Sequence, residues 1–282
     1  MVISCLDFWA GLLYDEIMKL LVIGFGNMGS AIVKALQTQE SPLFESIMIF
    51  DRSEEKIAMA KEMGVGVLDS LEDMAEDEVV LLAVKPQDMD AALDQLKDKL
   101  KDNALLVSIA AGVTLARLKE KSGHEAVVRV MPNTPALVGQ GASGFIASGG
   151  VGEEQRKVVK IMLESFGMAI ELTNEDQIDM VTALSGSGPA YVFYFLEALI
   201  GGATNLGLSE EDALKLAIQT MAGGAELAKS VEGLSGLEQL RSNVTSKGGT
   251  TEQAIAKFDE AQLKNIVAEA MKAAYDRAKE LG

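Results

Sequence analysis

Two stretches of this chain bring together residue types that bind anions through main-chain N–H groups. The first is Gly24-Phe25-Gly26-Asn27-Met28-Gly29, set between an apolar run and an amphipathic one. At a strand-to-helix turn each glycine of this pattern has a use: Gly24 permits the tight turn, Gly26 lets a pyrophosphate approach the backbone, and Gly29 lets helix and strand pack closely. Alone the hexapeptide is a weak signal, and an ordinary glycine turn is the plainer reading. Its context strengthens it, because it closes the first apolar run and the second ends in Phe50-Asp51-Arg52-Ser53. Asp51 stands where an acid would hold the adenosine ribose of NAD(H), whereas Arg52 and Ser53 suit the 2′-phosphate of NADP(H). Both cofactors stay open on these residues, as does a solvated loop.

The second stretch is Asn243-Val244-Thr245-Ser246-Lys247-Gly248-Gly249-Thr250-Thr251, which runs into TEQAIAKF. Consecutive glycines and hydroxyl residues at a helix N-terminus form a nest of donors suited to a carboxylate. A capping turn with Thr250 or Thr251 as N-cap is the plainer reading, and the two are compatible.

Three further segments surround these. Ala83-Val84-Lys85-Pro86 and Ser108-Ile109-Ala110-Ala111-Gly112 each follow an apolar run. Ligands of open α/β sheets bind beyond the carboxyl ends of strands, so both loops are expected to line a cofactor. Lys85 either aids an anion there or only stiffens a surface turn with Pro86. Met131-Pro132-Asn133-Thr134-Pro135 is rigid and presents Asn133 and Thr134 in a fixed direction, toward a cofactor or as a corner between layers. Ser185-Gly186-Ser187-Gly188-Pro189-Ala190-Tyr191 opens an apolar helix with Pro189 in its first turn. Its glycines bring backbone close to another domain, a helix or a ligand.

The elements that must position these groups show in the periodicity. Short β-rich runs (19–23, 46–50, 65–67, 79–84, 104–109 and 127–130) alternate with SAIVKALQT, EEKIAMAKEM, MDAALDQLKDKL and TLARLKEK, whose apolar residues recur every three to four positions. Apolar strands separated by helices predict a doubly wound, Rossmann-type parallel sheet covered on both faces. GFIA and MAIEL, flanking EEQRKVVKIMLESF, are expected to extend it. After Leu172 helical periodicity takes over. Ser209 before Glu-Glu-Asp, and Asp259 before Gln262, are expected to cap two long helices. AYVFYFLEALIGGA is apolar on nearly every side, so it should be buried, with another subunit supplying part of the cover. The expected division is an N-terminal extension over 1–17, since Met18 directly precedes the first strand, a dinucleotide-binding domain over 18–172, and an all-helical substrate and dimerisation domain over 173–282.

Composition narrows the function classes. The formal net charge of −17 argues against nucleic acid, which needs clustered Lys and Arg. Any anionic ligand must be held by local features against this field. No run reaches the ~18 apolar residues of a membrane span, and the opening residues make a poor secretory signal. With one cysteine, Cys5, and one histidine, His124, neither an internal disulfide nor a Cys/His metal site is expected, and a reducing, cytoplasmic setting fits.

Taken in order, GFGNMG, AVKP, SIAAG, MPNTP, LSGSGPAY and VTSKGGTTE resemble the signature of the pyrroline-5-carboxylate reductases over nearly all of residues 18–282. The resemblance implies NAD(P)H-dependent reduction of Δ1-pyrroline-5-carboxylate to L-proline, the last step of proline biosynthesis, with a tilt toward NADP(H). It implies that the substrate carboxylate sits on backbone donors of Gly248, Gly249 and Thr250 in a loop that includes Ser246, that the Thr251 hydroxyl approaches the imine nitrogen, and that Asn243 supports the loop. It also implies a homodimer through interlocked helical domains, the substrate loop of one subunit facing the nicotinamide of another, with larger rings of dimers in many members. Lys247 departs from the proline common at that position. Related imine or β-hydroxyacid reductases share the layout, but the latter need a lysine in AYVFYFLEALIGG, which has none. A dinucleotide-binding protein without turnover is the remaining alternative.

Overall fold

The apolar runs become strands because they are short, rich in Val, Ile and Leu, and closed by turn residues. The computed structural model describes residues 18–74 and 79–281; the extension expected over 1–17 lies outside them. β1 (Met18–Ile23), β2 (Phe44–Phe50), β3 (Gly66–Val67), β4 (Val79–Leu82), β5 (Leu105–Ser108), β6 (Val127–Met131), β7 (Gly141–Ala147) and β8 (Gly167–Glu171) form one eight-stranded sheet, ordered β3-β2-β1-β4-β5-β6-β7-β8. It is parallel through β6, and β7 then runs antiparallel to β6 before β8 pairs parallel with β7. The reversal follows from chain length: residues 132–140 are too few for the crossover a parallel partner needs.

Successive residues of each central strand enter opposite layers. Leu20, Val22, Leu81 and Val107 pack with Ile32, Val33 and Leu36 of α1 (Asn27–Gln37) and with Val158, Val159 and Met162 of α5 (Glu153–Glu164). Leu21, Ile23, Leu82 and Leu106 pack with Met89, Leu93 and Leu96 of α3 (Met89–Leu96) and with Leu118 of α4 (Leu115–Ser122). α2 (Glu54–Glu62) follows β2. Each fully buried leucine contributes roughly 1.5–3 kcal/mol, so the two layers hold the strand tips firmly. The periodic stretch that predicts a helix to Leu100 stops at Leu96, because Asp98 takes a left-handed φ of 63° and turns the chain toward β5.

Beyond β8 the chain is helical: α6 (Asp176–Val181), a wide turn over Thr182–Gly186, α7 (Gly188–Asn205), α8 (Glu210–Ala228), α9 (Gly233–Asn243), α10 (Thr250–Glu260) and α11 (Leu263–Leu281). Ser209 caps α8 as expected, its Oγ accepting the N–H of Asp212 at 3.1 Å. The second capping signal fails. Asp259 lies inside the last turn of α10, and Gln262 at φ 55° makes the break before α11. The described residues form two compact units, one ending at Gly186 and taking in the chain from Tyr275 onward, the other Ser187–Ala274.

In the first unit α6 is tied to the sheet by a buried cation. Arg129 of β6 donates to Glu175 at 3.0 Å and to Asp179 at 3.1 Å, with its own side chain 4% exposed. In the second unit no residue of α7 is buried, and Phe193 and Tyr194 are 59% and 76% exposed. A single chain therefore leaves uncovered the helix whose sequence predicts burial. Among the described residues no helix is long and apolar enough to cross a membrane.

Candidate active site

The tips of four strands lie side by side where the strand order reverses between β1 and β4. Gly24 N–H donates to Phe50 O at 2.9 Å, Ala83 N–H to Ile23 O at 2.8 Å, and Ile109 N–H to Leu82 O at 3.1 Å. Such a switch point is where open α/β sheets take ligands. A cavity of about 500 Å³ opens there, lined among others by Gly24, Gly26, Asp51, Arg52, Ser53, Ala83, Val84 and Lys85.

The glycines divide the work. Gly24 has a φ of 94°, and a Cβ on it would stand 2.8 Å from the Ala83 carbonyl. A Cβ on Gly29 would stand 2.5 Å from Gly24 O, so α1 and the loop touch there. A Cβ on Gly26 would meet nothing within 4 Å. Gly26 is also the N-cap of α1 and offers it no side-chain cap, which leaves an open, anion-seeking helix end. Asn27 is exposed on that first turn, while Met28 packs partly against the core. Phe25 is fully buried, so only its backbone remains at the loop. That N–H donates to Asp51 Oδ2 at 2.6 Å, and Asp51 Oδ1 accepts Ser53 N–H at 2.8 Å.

Asp51 thus takes one backbone donor on each oxygen, which fixes its orientation and leaves a lone pair on each. Cations line the same cavity: Arg52, Lys85, and Lys56, which sequence reasoning missed. Its signal was present, since Lys56 lies three residues past the N-cap Ser53 in the first turn of α2, on the side of Ser53. Leu71 and Ala92 add apolar area, and Asp88 and Gln95 add polar groups. Pro86 begins a short 3-10 turn beside Lys85.

Asn133 and Ala110 do not line this cavity. Asn133 is buried, its amide donating to Ser185 O at 3.0 Å and its Oδ1 accepting Ala142 N–H at 2.8 Å. Beside it, a Cβ on Gly186 would fall 2.6 Å from Met131 Cε. Met131 and Asn133 therefore brace Ser185-Gly186, which answers what the Gly186 backbone approaches. Ala110 is buried, and after it Gly112 packs against the Leu281 carbonyl, 2.7 Å from where a Cβ would be.

The second stretch folds as the entrance to α10. Gly249 is its N-cap, and no side chain caps the helix. Gly248, at φ 74°, donates its N–H to Glu252 Oε2 at 2.7 Å, and Gly249 N–H donates to Ser246 O at 2.9 Å. Thr250 is exposed and Thr251 half-buried at the start of the helix. Asn243 pairs with Gln239 of its own helix, accepting at 2.7 Å, rather than with the loop. Chemically this is a polar, hydroxyl-bearing helix end facing solvent, with Lys247 exposed beside it.

Residues 175–281 match the family model for pyrroline-5-carboxylate reductase dimerisation, and residues 19–112 match that for NADP oxidoreductase, coenzyme F420-dependent. A pyrroline-5-carboxylate reductase of Pseudomonas aeruginosa is 41% identical over 265 residues, 93% of this chain and 96% of the relative. The chain belongs to the pyrroline-5-carboxylate reductase family. A reductase of this family from Arabidopsis thaliana is 40% identical over 78% of this chain and 79% of its own. The solved family structure from Coxiella burnetii aligns with a TM-score of 0.87 at 37% identity, covering 95% of this chain and 99% of that one. That of Plasmodium falciparum pyrroline carboxylate reductase, with NADP bound, aligns at 0.83 with 32% identity over 94% and 98%.

Proposed function

We propose that this chain reduces Δ1-pyrroline-5-carboxylate to L-proline with NADPH, the closing step of proline biosynthesis. The observation that carries the reading is the occurrence, in one chain of this family, of two glycine-capped helix N-termini at its two glycine-rich motifs: α1 behind Gly26 and α10 behind Gly249. Each is suited to one of the two anionic reactants.

The cofactor's pyrophosphate would lie on Gly24, Gly26 and the first turn of α1 at Asn27 and Met28, where the open face of Gly26 admits it. Arg52, Ser53 and Lys56 would take the 2′-phosphate, with Asp51 holding the loop in shape. A relative with NADP bound and the cations Arg52 and Lys56 in the cavity lining both favour NADP(H) over NAD(H). Ala83, Val84 and Lys85 would flank the remainder.

When bound, the nicotinamide supplies the hydride. The chain's own task is to hold the imine. Donors of the Gly248–Thr250 loop, with Ser246 shaping it, would receive the substrate carboxylate, and the Thr251 hydroxyl would hydrogen-bond the imine nitrogen. An iminium carbon is already electrophilic, so a strong side-chain acid is unnecessary and positioning supplies much of the rate. The chain works as a dimer through its helical region; assembly into rings of dimers and a cytoplasmic location complete the proposal.

The test is oxidation of NADPH by the purified protein, with and without the pyrroline. Consumption that depends on the pyrroline and yields proline supports the assignment. Tight NADPH binding without turnover would leave a dinucleotide-binding protein instead.

A further inference from the structure

We infer that Glu252 is an internal stand-in for the substrate carboxylate, holding the Gly248 N–H until substrate displaces it. The inference rests on the reading that the Gly248–Thr251 loop receives that carboxylate. Gly248 adopts a left-handed φ of 74°, and in this conformation its N–H reaches the first turn of α10. There Glu252 Oε2 accepts it at 2.7 Å, although the loop brings no capping side chain of its own. A negative charge at this helix end is favoured by the open N–H groups behind it. The same field would draw the substrate carboxylate, so the two anions compete for one donor set.

Three consequences follow from charge and shape. The competition burdens only ligands that carry a carboxylate. Glutamine at 252 keeps the length and an acceptor oxygen but removes the charge. Alanine removes both, and so separates competition from simple pinning of the loop.

The experiment compares the wild-type enzyme with Glu252→Gln and Glu252→Ala. If Glu252 competes, both variants lower KM for pyrroline-5-carboxylate by about three- to tenfold, the scale of one like-charge repulsion at about 4 Å screened by bulk water, as fits an exposed loop. Turnover at saturation stays within about twofold, because the competition acts on binding rather than on the chemical step. KM for unsubstituted 1-pyrroline, which has no carboxylate, does not move. Calorimetric titration of cyclopentanecarboxylate into NADP-loaded protein shows tighter binding to Glu252→Gln by the same factor. The inference is overturned if Glu252→Gln matches wild type in both KM and carboxylate affinity while Glu252→Ala binds substrate more weakly, the pattern of a loop pin. Were wild type to turn over no pyrroline, the proposed function would fall, and the calorimetric comparison would still decide the role of Glu252.

Discussion

Asp51 and Phe25 are latched together, the Asp51 carboxylate accepting the Phe25 N–H at 2.6 Å across the tips of β2 and β1. Its other oxygen holds Ser53 N–H at 2.8 Å, so one side chain shapes both the glycine loop and the start of α2. Removing the acceptor leaves the partly buried Phe25 N–H unpaired, at a cost of about 1–3 kcal/mol, whereas the exposed Ser53 N–H can turn to water. Asp51→Ala should therefore lower the unfolding midpoint and weaken NADPH and NADH alike. A selective gain for one nucleotide in calorimetry would show that Asp51 reads the ribose after all.

Arg52 and Lys56 bear the opposite expectation, because their charges line the cavity without fixing the loop. A charge-assisted hydrogen bond contributes about 1.5–3 kcal/mol, less when solvent screens it. Arg52→Ala and Lys56→Ala should each raise KM for NADPH by about tenfold, which is about 1.4 kcal/mol. KM for NADH should hardly change. Parallel steady-state assays check this, and an unaltered NADPH:NADH ratio in both variants would remove the 2′-phosphate assignment.

Arg129 joins the sheet to two helices. Its guanidinium bridges Glu175 and Asp179, and Glu175 also accepts Leu115 N–H at 2.7 Å, so β6, α4 and α6 meet at one buried cation. Breaking such a pair by deleting one partner costs about 3–5 kcal/mol, since the other charges stay desolvated. Arg129→Met should be strongly destabilised in denaturant melts. Arg129→Lys should rescue little of it, because a single ammonium lacks the fork that spans both carboxylates. Near wild-type stability in Arg129→Lys would mean that charge alone, not the fork, matters there.

How much of this was legible in the sequence depended on the range of the interaction. The central strands and α1 follow local periodicity, and they coincide with the runs read from it. The antiparallel turn to β7 was hidden, because it depends on counting the residues between strands rather than on their pattern. Asp259 looked like a cap through local spacing, yet α10 continues past it and Gln262 makes the break. Asn133 presented a rigid polar group with no sign of its partners, which lie at Ala142 and Ser185. Lys56 and Glu252 were overlooked because charged residues in a first helical turn read as ordinary dipole complements. Only the cavity and the Gly248 hydrogen bond give them further roles.

The glycine loop offers a prediction in which stability and binding separate. A Cβ at Gly29 would press to 2.5 Å from Gly24 O, a backbone atom with no freedom to yield. A Cβ at Gly26 would enter open space, and its backbone at φ −77° and ψ −168° is one any residue adopts. Gly29→Ala should thus lower the melting temperature and lose cofactor binding with it. Gly26→Ala should melt close to wild type yet bind NADPH at least tenfold more weakly, because the methyl group fills the space the pyrophosphate needs. Both follow from a thermal melt and a fluorescence titration of NADPH on the same preparations. If Gly26→Ala kept full affinity, the phosphates would have to lie elsewhere in the cavity, and the cradle at the end of α1 would lose its assigned role.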